Sequence, residues 1–152
     1  MMQTMKLTQF TDYSLRVLIY LATDPERRAT IAEIARAFEV SESHLTKVVH
    51  HLSKSQYLST VRGKGGGMGL GRAPSDIRIG DVVQSTEGAS MPAECFDPER
   101  HTCVIDPVCL LRGALREATQ AFYAQLNHYT LADITRNRAA LHEVLFFPRE
   151  TA

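Results

Sequence analysis

The alternation of apolar and polar positions divides the chain into short helices interrupted once by a β-prone hairpin. From Thr11 to Leu21, the residues Leu15, Leu18 and Ile19, with Ala22 just beyond, fall on one helical stripe, and Asp24-Pro25 ends the segment. Thr30-Ile31-Ala32-Glu33 has the form of a capping box, in which the hydroxyl and the carboxylate each accept a backbone N–H that the helix start leaves free. Ile31, Ile34, Ala35 and Phe38 then repeat at helical spacing. Val40-Ser41 opens a third helix, with Ser41 as its N-cap and Val40 placed as a hydrophobic staple. That helix buries Leu45, Val48, Val49 and Leu52 and leaves Ser43, His44, Lys47, His50, His51 and Lys54 largely on its other faces. Two short helices joined by a turn, the second polar outside, make the helix-turn-helix pattern.

The pattern then changes period. Tyr57–Val61 and Met68–Leu70 are short β-prone runs, and the loop Arg62-Gly63-Lys64-Gly65-Gly66-Gly67 between them reads as the tip of a β-hairpin wing. The expected DNA-reading element therefore spans Thr30–Leu70. A short helix follows over Ile79–Thr86, after Pro74. Glu87–Asp106 carries Gly88, Pro92 and Pro98 without a period, a loop of about 20 residues, and loops of that length inside compact domains are usually functional or disordered. A long amphipathic helix covers Val108–Asn127 with Leu111, Leu115, Ala118, Phe122 and Leu126 as its stripe. So small a chain has little left to cover that face, which predicts pairing with a second copy. Thr130-Leu131-Ala132-Asp133 starts a short final helix. The expected fold class is mainly α with a small β-hairpin. It comprises a winged helix-turn-helix region over 1–86, a cysteine-bearing loop over 87–109, and a dimerisation helix with a C-terminal helix over 108–152, all within one compact domain.

Composition changes this picture in two places. The 152 residues are 44% hydrophobic, enough for a single core, and the formal net charge is zero. Zero net charge would argue against nucleic acid, but the halves differ: residues 1–78 carry +4 and residues 79–152 carry −4. A basic reading half joined to an acidic sensing or dimerising half fits that asymmetry. No run of 18 or more apolar residues occurs, and Met1–Phe10 lacks the apolar stretch of a signal peptide, so the expected location is the cytoplasm.

Recognition helices reach base edges with their N-terminal residues, and those positions are Ser41, Ser43, His44 and Lys47. Serine and histidine can bond bases or phosphates, whereas Lys47 suits a phosphate. In the wing, Arg62 and Lys64 bring charge, and Gly65 and Gly66 let the backbone approach the sugar-phosphate surface. No acidic residue occurs between Arg62 and Arg72. A nucleotide-phosphate loop is rejected, because Lys64 sits among the glycines and a strand-like run, not a helix, follows. No nucleophile–base pair or substrate fingerprint stands out, which disfavours an enzyme.

Cys95, Cys103 and Cys109 are spaced C-x7-C-x5-C, and an odd cluster in a cytosolic chain points to metal or redox chemistry rather than a disulfide framework. Three readings remain open on the residues alone: inert or redox-active thiols, a zinc site completed by His101, and an iron–sulfur cluster.

Phe10-Thr11-Asp12-Tyr13-Ser14-Leu15-Arg16, Ser43-His44-Leu45-Thr46-Lys47-Val48-Val49, the wing Arg62–Gly67, Ile79-Gly80-Asp81-Val82-Val83, the three cysteines and Asn127-His128-Tyr129-Thr130-Leu131-Ala132-Asp133 together resemble the Rrf2 family of transcription regulators. Within it the chain is most similar to the nitric-oxide-sensing repressor branch. That resemblance implies a homodimeric winged-helix repressor that binds a palindromic site in double-stranded DNA, with nitric oxide as signal. It also implies an iron–sulfur cluster on Cys95, Cys103 and Cys109, [4Fe–4S] favoured and [2Fe–2S] the alternative. In the branch that senses iron–sulfur status, a His three residues after the last Cys completes the ligand set, and here that position is Arg112. In the nitric-oxide branch an Asp of the first helix serves, donated by the other subunit, and Asp12 matches it, with Arg16 one turn on to orient or neutralise the carboxylate. The alternatives for Asp12 are a plain first-turn acid, with His101 or water as fourth ligand. A carboxylate is harder than a thiolate and suits cluster iron poorly, which would make that site the first attacked. The chain departs from the family at Gly69, where a basic residue often stands in the second wing strand, and in a longer first cysteine gap. The alternative function is a cofactor-free or thiol-redox-responsive regulator of the same family.

Overall fold

The structure, a computed structural model, describes residues 6–88, 93–99 and 102–147. Among those residues its centre is α1 (Gln9–Thr23), against which four of the six other α-helices and the second wing strand pack. Thr8 caps α1, its hydroxyl accepting from the Thr11 N–H at 3.3 Å, so the helix begins two residues before the expected Thr11. The inward stripe is also rotated: Val17, Leu18 and Leu21 are buried, whereas Leu15 and Ile19 are only half-buried. α2 (Ile31–Phe38) carries both arms of the expected capping box, Thr30 N–H to Glu33 Oε2 at 2.6 Å and Glu33 N–H to Thr30 Oγ1 at 3.2 Å.

α3 (Glu42–Lys54) buries the four expected side chains, Leu45, Val48, Val49 and Leu52. Ser41 stands at its N-cap position but does not cap it. Its hydroxyl bonds the Ser43 hydroxyl at 2.8 Å instead, because the two side chains share the outer surface of the first turn. β1 (Leu58–Val61) and β2 (Gly67–Leu70) pair antiparallel, with Leu58 opposite Leu70 and Ser59 opposite Gly69. Ala29 extends the wing from outside, exchanging two backbone bonds with Met68 at 2.9 and 2.7 Å.

α4 (Ile79–Glu87) and α5 (Leu110–Leu126) meet at a joint that sequence spacing does not reveal. Asn127 Oδ1 accepts the Asp81 N–H at 2.9 Å, Asn127 Nδ2 donates to the Asp81 carboxylate at 3.0 Å, and Arg78 donates to the Asn127 carbonyl at 2.9 Å. Gly80 is required there, since a β-carbon would collide with Asn127 Oδ1 and the Tyr123 carbonyl. The two motifs Ile79–Val83 and Asn127–Asp133 are thus the two sides of one contact, continued by Ile79 N–H to Tyr129 O at 3.0 Å and Leu131 N–H to Ile77 O at 2.8 Å.

Two expected boundaries are corrected. The long helix starts at Leu110 rather than Val108, because Asp106–Val108 forms a 3-10 turn with Pro107 inside it. The final helix is two pieces, α6 (Leu131–Ile134) and α7 (Arg138–Phe146), since the Thr130–Asp133 box supports a single turn before the chain breaks at Thr135–Asn137. Phe122, Tyr123 and Leu126 rest against the core, but α5 has no fully buried side chain of its own, and Leu110 and Leu111 stand in solvent.

Candidate nucleic-acid interface and cysteine loop

The four predicted reading residues share the exposed N-terminal half of α3. Ser41, Ser43, His44 and Lys47 are all exposed, while Leu45 and Val48 between them anchor the helix in the core. The hydrophobic spacing alone dictates this: burying positions 45, 48, 49 and 52 turns 43, 44, 47 and 50 outward. In the wing, Arg62 and Lys64 are exposed and enter no ion pair among the described residues, so both charges are open to a phosphate. Gly65 has φ +76°, a conformation that L side chains rarely adopt, and the Gly66 N–H closes the tip on Gly63 O at 2.9 Å. Arg72 is committed elsewhere: its guanidinium lies 4.5 Å from the Tyr57 ring centroid and donates to Ser55 O at 3.0 Å. Burial raises the Tyr57 phenol pKa, and the Arg72 charge partly opposes that rise.

Sequence reasoning missed three further groups on this surface. Ser59 and Thr60 of β1 are both exposed, because a two-stranded wing covers only part of either face. Arg28 is exposed beside Ala29, and only the Ala29–Met68 pairing brings it to the wing. The third is an aromatic seam between α1 and α3. The Phe10 ring meets His51 edge-on at 5.4 Å, and the Tyr13 ring lies 6.2 Å from His44. Gln9, Phe10, Tyr13, His44, Lys47 and Val48 line a cavity of about 100 Å³ along that seam.

Asp12 lies one residue before Tyr13 and is half exposed. Arg16 grips its carboxylate with two bonds, Nε to Oδ1 at 3.1 Å and Nη2 to Oδ2 at 2.9 Å. The same guanidinium lies 5.5 Å from the Tyr13 ring and 5.8 Å from the Phe38 ring, so carboxylate, cation and rings form one cluster. α1 is also tied to the stem of the cysteine loop. Glu87, the last residue of α4, accepts the Thr8 N–H at 2.8 Å, and the Thr11 and Thr86 hydroxyls are bonded at 2.8 Å.

All three cysteines are free thiols. Cys95 sits in a 3-10 turn, Glu94–Phe96, and is half-buried; Cys103 is exposed; Cys109 is half-buried and immediately precedes α5, where its side chain makes no capping bond. Side chains next to the cysteines hold the loop together. Thr102 Oγ1 donates to Glu94 Oε1 at 2.7 Å, and Arg112 Nη1 donates to Asp106 Oδ2 at 3.3 Å with its guanidinium 5.6 Å from the Phe96 ring centroid. Within this single chain, no three His, Cys, Asp or Glu side chains among the described residues converge to a metal-sized group. His101, the zinc alternative's ligand, lies outside the described residues. The loop is flanked by exposed apolar side chains, Val104, Ile105, Val108, Leu110 and Leu111.

Comparison with known proteins adds a family to this geometry. Residues 7–137 match the profile of the Rrf2 family, described as iron-dependent transcriptional regulators. The HTH-type transcriptional regulator NsrR of Bacillus subtilis is 46% identical over 142 residues, covering 93% of this chain and 97% of that protein. NsrR of Geobacillus kaustophilus is 47% identical over the same lengths. Among solved structures, CymR, the global cysteine regulator of B. subtilis, aligns with a TM-score of 0.69 and 26% identity, covering 88% of this chain and 98% of that one. IscR of T. potens aligns with a TM-score of 0.70 at 24% identity, covering 88% of each chain, and shares the fold. No helix among the described residues is long and apolar enough to cross a membrane.

Proposed function

The chain belongs to the Rrf2 family and is a DNA-binding transcriptional regulator of the NsrR type rather than an enzyme, and from that membership we propose a homodimeric repressor whose grip on DNA depends on an iron–sulfur cluster and is released by nitric oxide. Cys95, Cys103 and Cys109 are the proposed thiolate ligands, with Asp12 of the other copy as the fourth. The donor set fits such a group, for it combines three free, soft thiolates on one loop with one hard, half-exposed carboxylate. Such a cluster, with [4Fe–4S] the favoured form, would supply iron able to take up nitric oxide.

The residues of this chain do the rest. Ser41, Ser43 and His44 read base edges, Lys47, Arg62 and Lys64 hold phosphates, and Gly65 and Gly66 let the wing backbone approach the DNA. Arg16 fixes the rotamer of Asp12 and neutralises it while it is not a ligand. A ligand donated across the dimer ties the first turn of α1 in one copy to the loop of the other. That turn carries Phe10 and Tyr13, which pack on His51 and His44 of α3. Loss of the tie therefore alters the separation or tilt of two α3 helices that must fit half-sites at fixed spacing.

The observation that carries this reading is the joining of three free cysteines to an α5 that opens on the exposed apolar pair Leu110-Leu111, which supports a loop completed by a second copy. The test is anaerobic titration of the purified protein with nitric oxide against a DNA fragment selected by that protein from a random pool. Brown protein with cysteine-dependent iron and sulfide, and at least tenfold weaker binding after titration, is expected. Unchanged affinity after complete reaction overturns the sensing role.

The thiol-redox reading has one observation in its favour: Cys103 is exposed, on a fold shared with a cysteine regulator. Colourless, metal-free protein that loses DNA on mild oxidation would establish it instead.

A further inference from the structure

We infer that Arg112 is the positioning residue of the cysteine loop, one side chain that fixes the Cys95 and Cys109 segments against each other. The loop needs such a device because neither Phe96 nor any of the three cysteines belongs to the hydrophobic core or packs against it. Burial therefore does not order it, and polar ties must.

Among the described residues, two of those ties meet at Arg112. It lies three residues after Cys109, in the first turn of α5, and Asp106 lies three residues before Cys109. Nη1 is 3.3 Å from both oxygens of the Asp106 carboxylate, which is itself only 11% exposed. The guanidinium meanwhile stacks near the ring of Phe96, the neighbour of Cys95. Cys103 is secured indirectly, through Thr102 to Glu94 and through the Asp106 N–H to the Cys103 carbonyl at 3.3 Å. Cys95 and Cys103 are thus held through the side chains beside them and Cys109 through those one turn to either side, and among the described residues the holds at Cys95 and Cys109 pass through one guanidinium. Lysine cannot substitute, because it lacks both the fork that meets a carboxylate and the plane that covers a ring. The Arg112 Nε–H is buried and has no partner among the described residues. A donor so placed favours any acceptor that a loaded loop brings to it.

The consequence for a bound cluster rests on the proposed function, but the positioning role does not, and the experiment separates them. In the metal-free, reduced full-length protein, iodoacetamide alkylation of each cysteine is followed by mass spectrometry. In the parent chain Cys103, the exposed thiol, should react fastest and the half-buried Cys95 and Cys109 should lag. Arg112→Leu should raise the rates at Cys95 and Cys109 about tenfold, the factor expected when a charged hydrogen bond that holds a local opening closed is removed. Arg112→Lys should not restore protection. Phe96→Ala should release Cys95 alone and Asp106→Asn chiefly Cys109, and this residue-by-residue pattern decides the matter even if Arg112→Leu folds poorly. Unchanged protection at both cysteines in Arg112→Leu, or the same general increase in all variants, overturns the inference. Anaerobic reconstitution then reads the visible circular dichroism of the loaded protein, which should differ in Arg112→Leu. Failure of the parent chain to take up iron overturns the cluster and leaves the alkylation result standing.

Discussion

A carboxylate that serves as a ligand across an interface must be held ready without being buried, and Asp12 meets that condition because Arg16 holds it from its own helix. The pair is exposed, so its worth to stability is small; its value is orientation. At the same scale, Gly69 marks a contact that the wing lacks. It stands opposite Ser59 in the hairpin, its backbone is not in the left-handed region, and nothing lies within 4 Å of an added β-carbon. A long basic side chain is therefore accommodated without strain. Gly69→Lys should strengthen binding to unrelated and selected DNA alike, and steepen the slope of log affinity against log salt by about 1 per subunit, the value for one added phosphate contact. Lys47→Ala should lower that slope by a similar amount. Titrations by fluorescence anisotropy at four salt concentrations give both slopes, and an unchanged slope in Gly69→Lys would mean the second wing strand faces away from the phosphates.

Among elements, α6 is the clearest case of a helix made by its cap. It is a single turn, Leu131–Ile134, yet Leu131 is fully buried and its N–H bonds Ile77. The Thr130 backbone N–H, at 2.9 Å, and then the Thr130 hydroxyl hold the Asp133 carboxyl below its ordinary pKa, with Arg136 adding a smaller pull. Because the folded state lowers this pKa, the stabilisation is complete above the unfolded value of about 3.8 and is lost as pH falls through the lower folded value. Urea midpoints measured from pH 6 down to pH 2 should therefore decline less steeply in Asp133→Asn than in the parent, with the difference confined to the region below about pH 4. Coincident acid limbs would remove Asp133 from the acid sensitivity.

What the sequence discloses at this scale follows from range. The capping boxes at Thr30 and Thr130 and the inward face of α3 are local patterns, and the structure has them as read. Ser41 misled because a serine before a helix has other partners, here Ser43. The α4–α5 joint was visible only as two motifs, since Asp81 and Asn127 are far apart in the chain and Gly80 shows no sign of what approaches it. The cysteines could be seen; the Phe96–Arg112–Asp106 clamp that spaces them could not, for nothing periodic links a loop aromatic to a helix arginine.

For the whole molecule, the decisive fact is where apolar surface is left. Val104, Val108 and Leu110 are 93%, 79% and 90% exposed, and they are the chain neighbours of Cys103 and Cys109 ahead of and at the start of α5. Exposed apolar side chains beside candidate ligands are expected where another chain docks, and under the proposed function a second copy would both cover them and bring Asp12 of its own α1. Charging this surface separates dimerisation from folding, because neither Leu110 nor Leu111 contributes to the core of one chain. In Leu110→Asp/Leu111→Asp the chain should keep its helical circular dichroism but sediment as a monomer, where the parent is expected to sediment as the proposed dimer. On DNA the monomer should bind an isolated half-site as the parent does and lose the bivalent advantage on a full palindrome, about 10²- to 10⁴-fold. If the proposed cluster is bound as inferred, with its fourth ligand from the second copy, the monomer should also fail to retain iron at the parent's stoichiometry. A variant that remains dimeric would move the interface off the first turn of α5, whereas a monomer with undiminished affinity for the full palindrome would sever dimerisation from DNA reading.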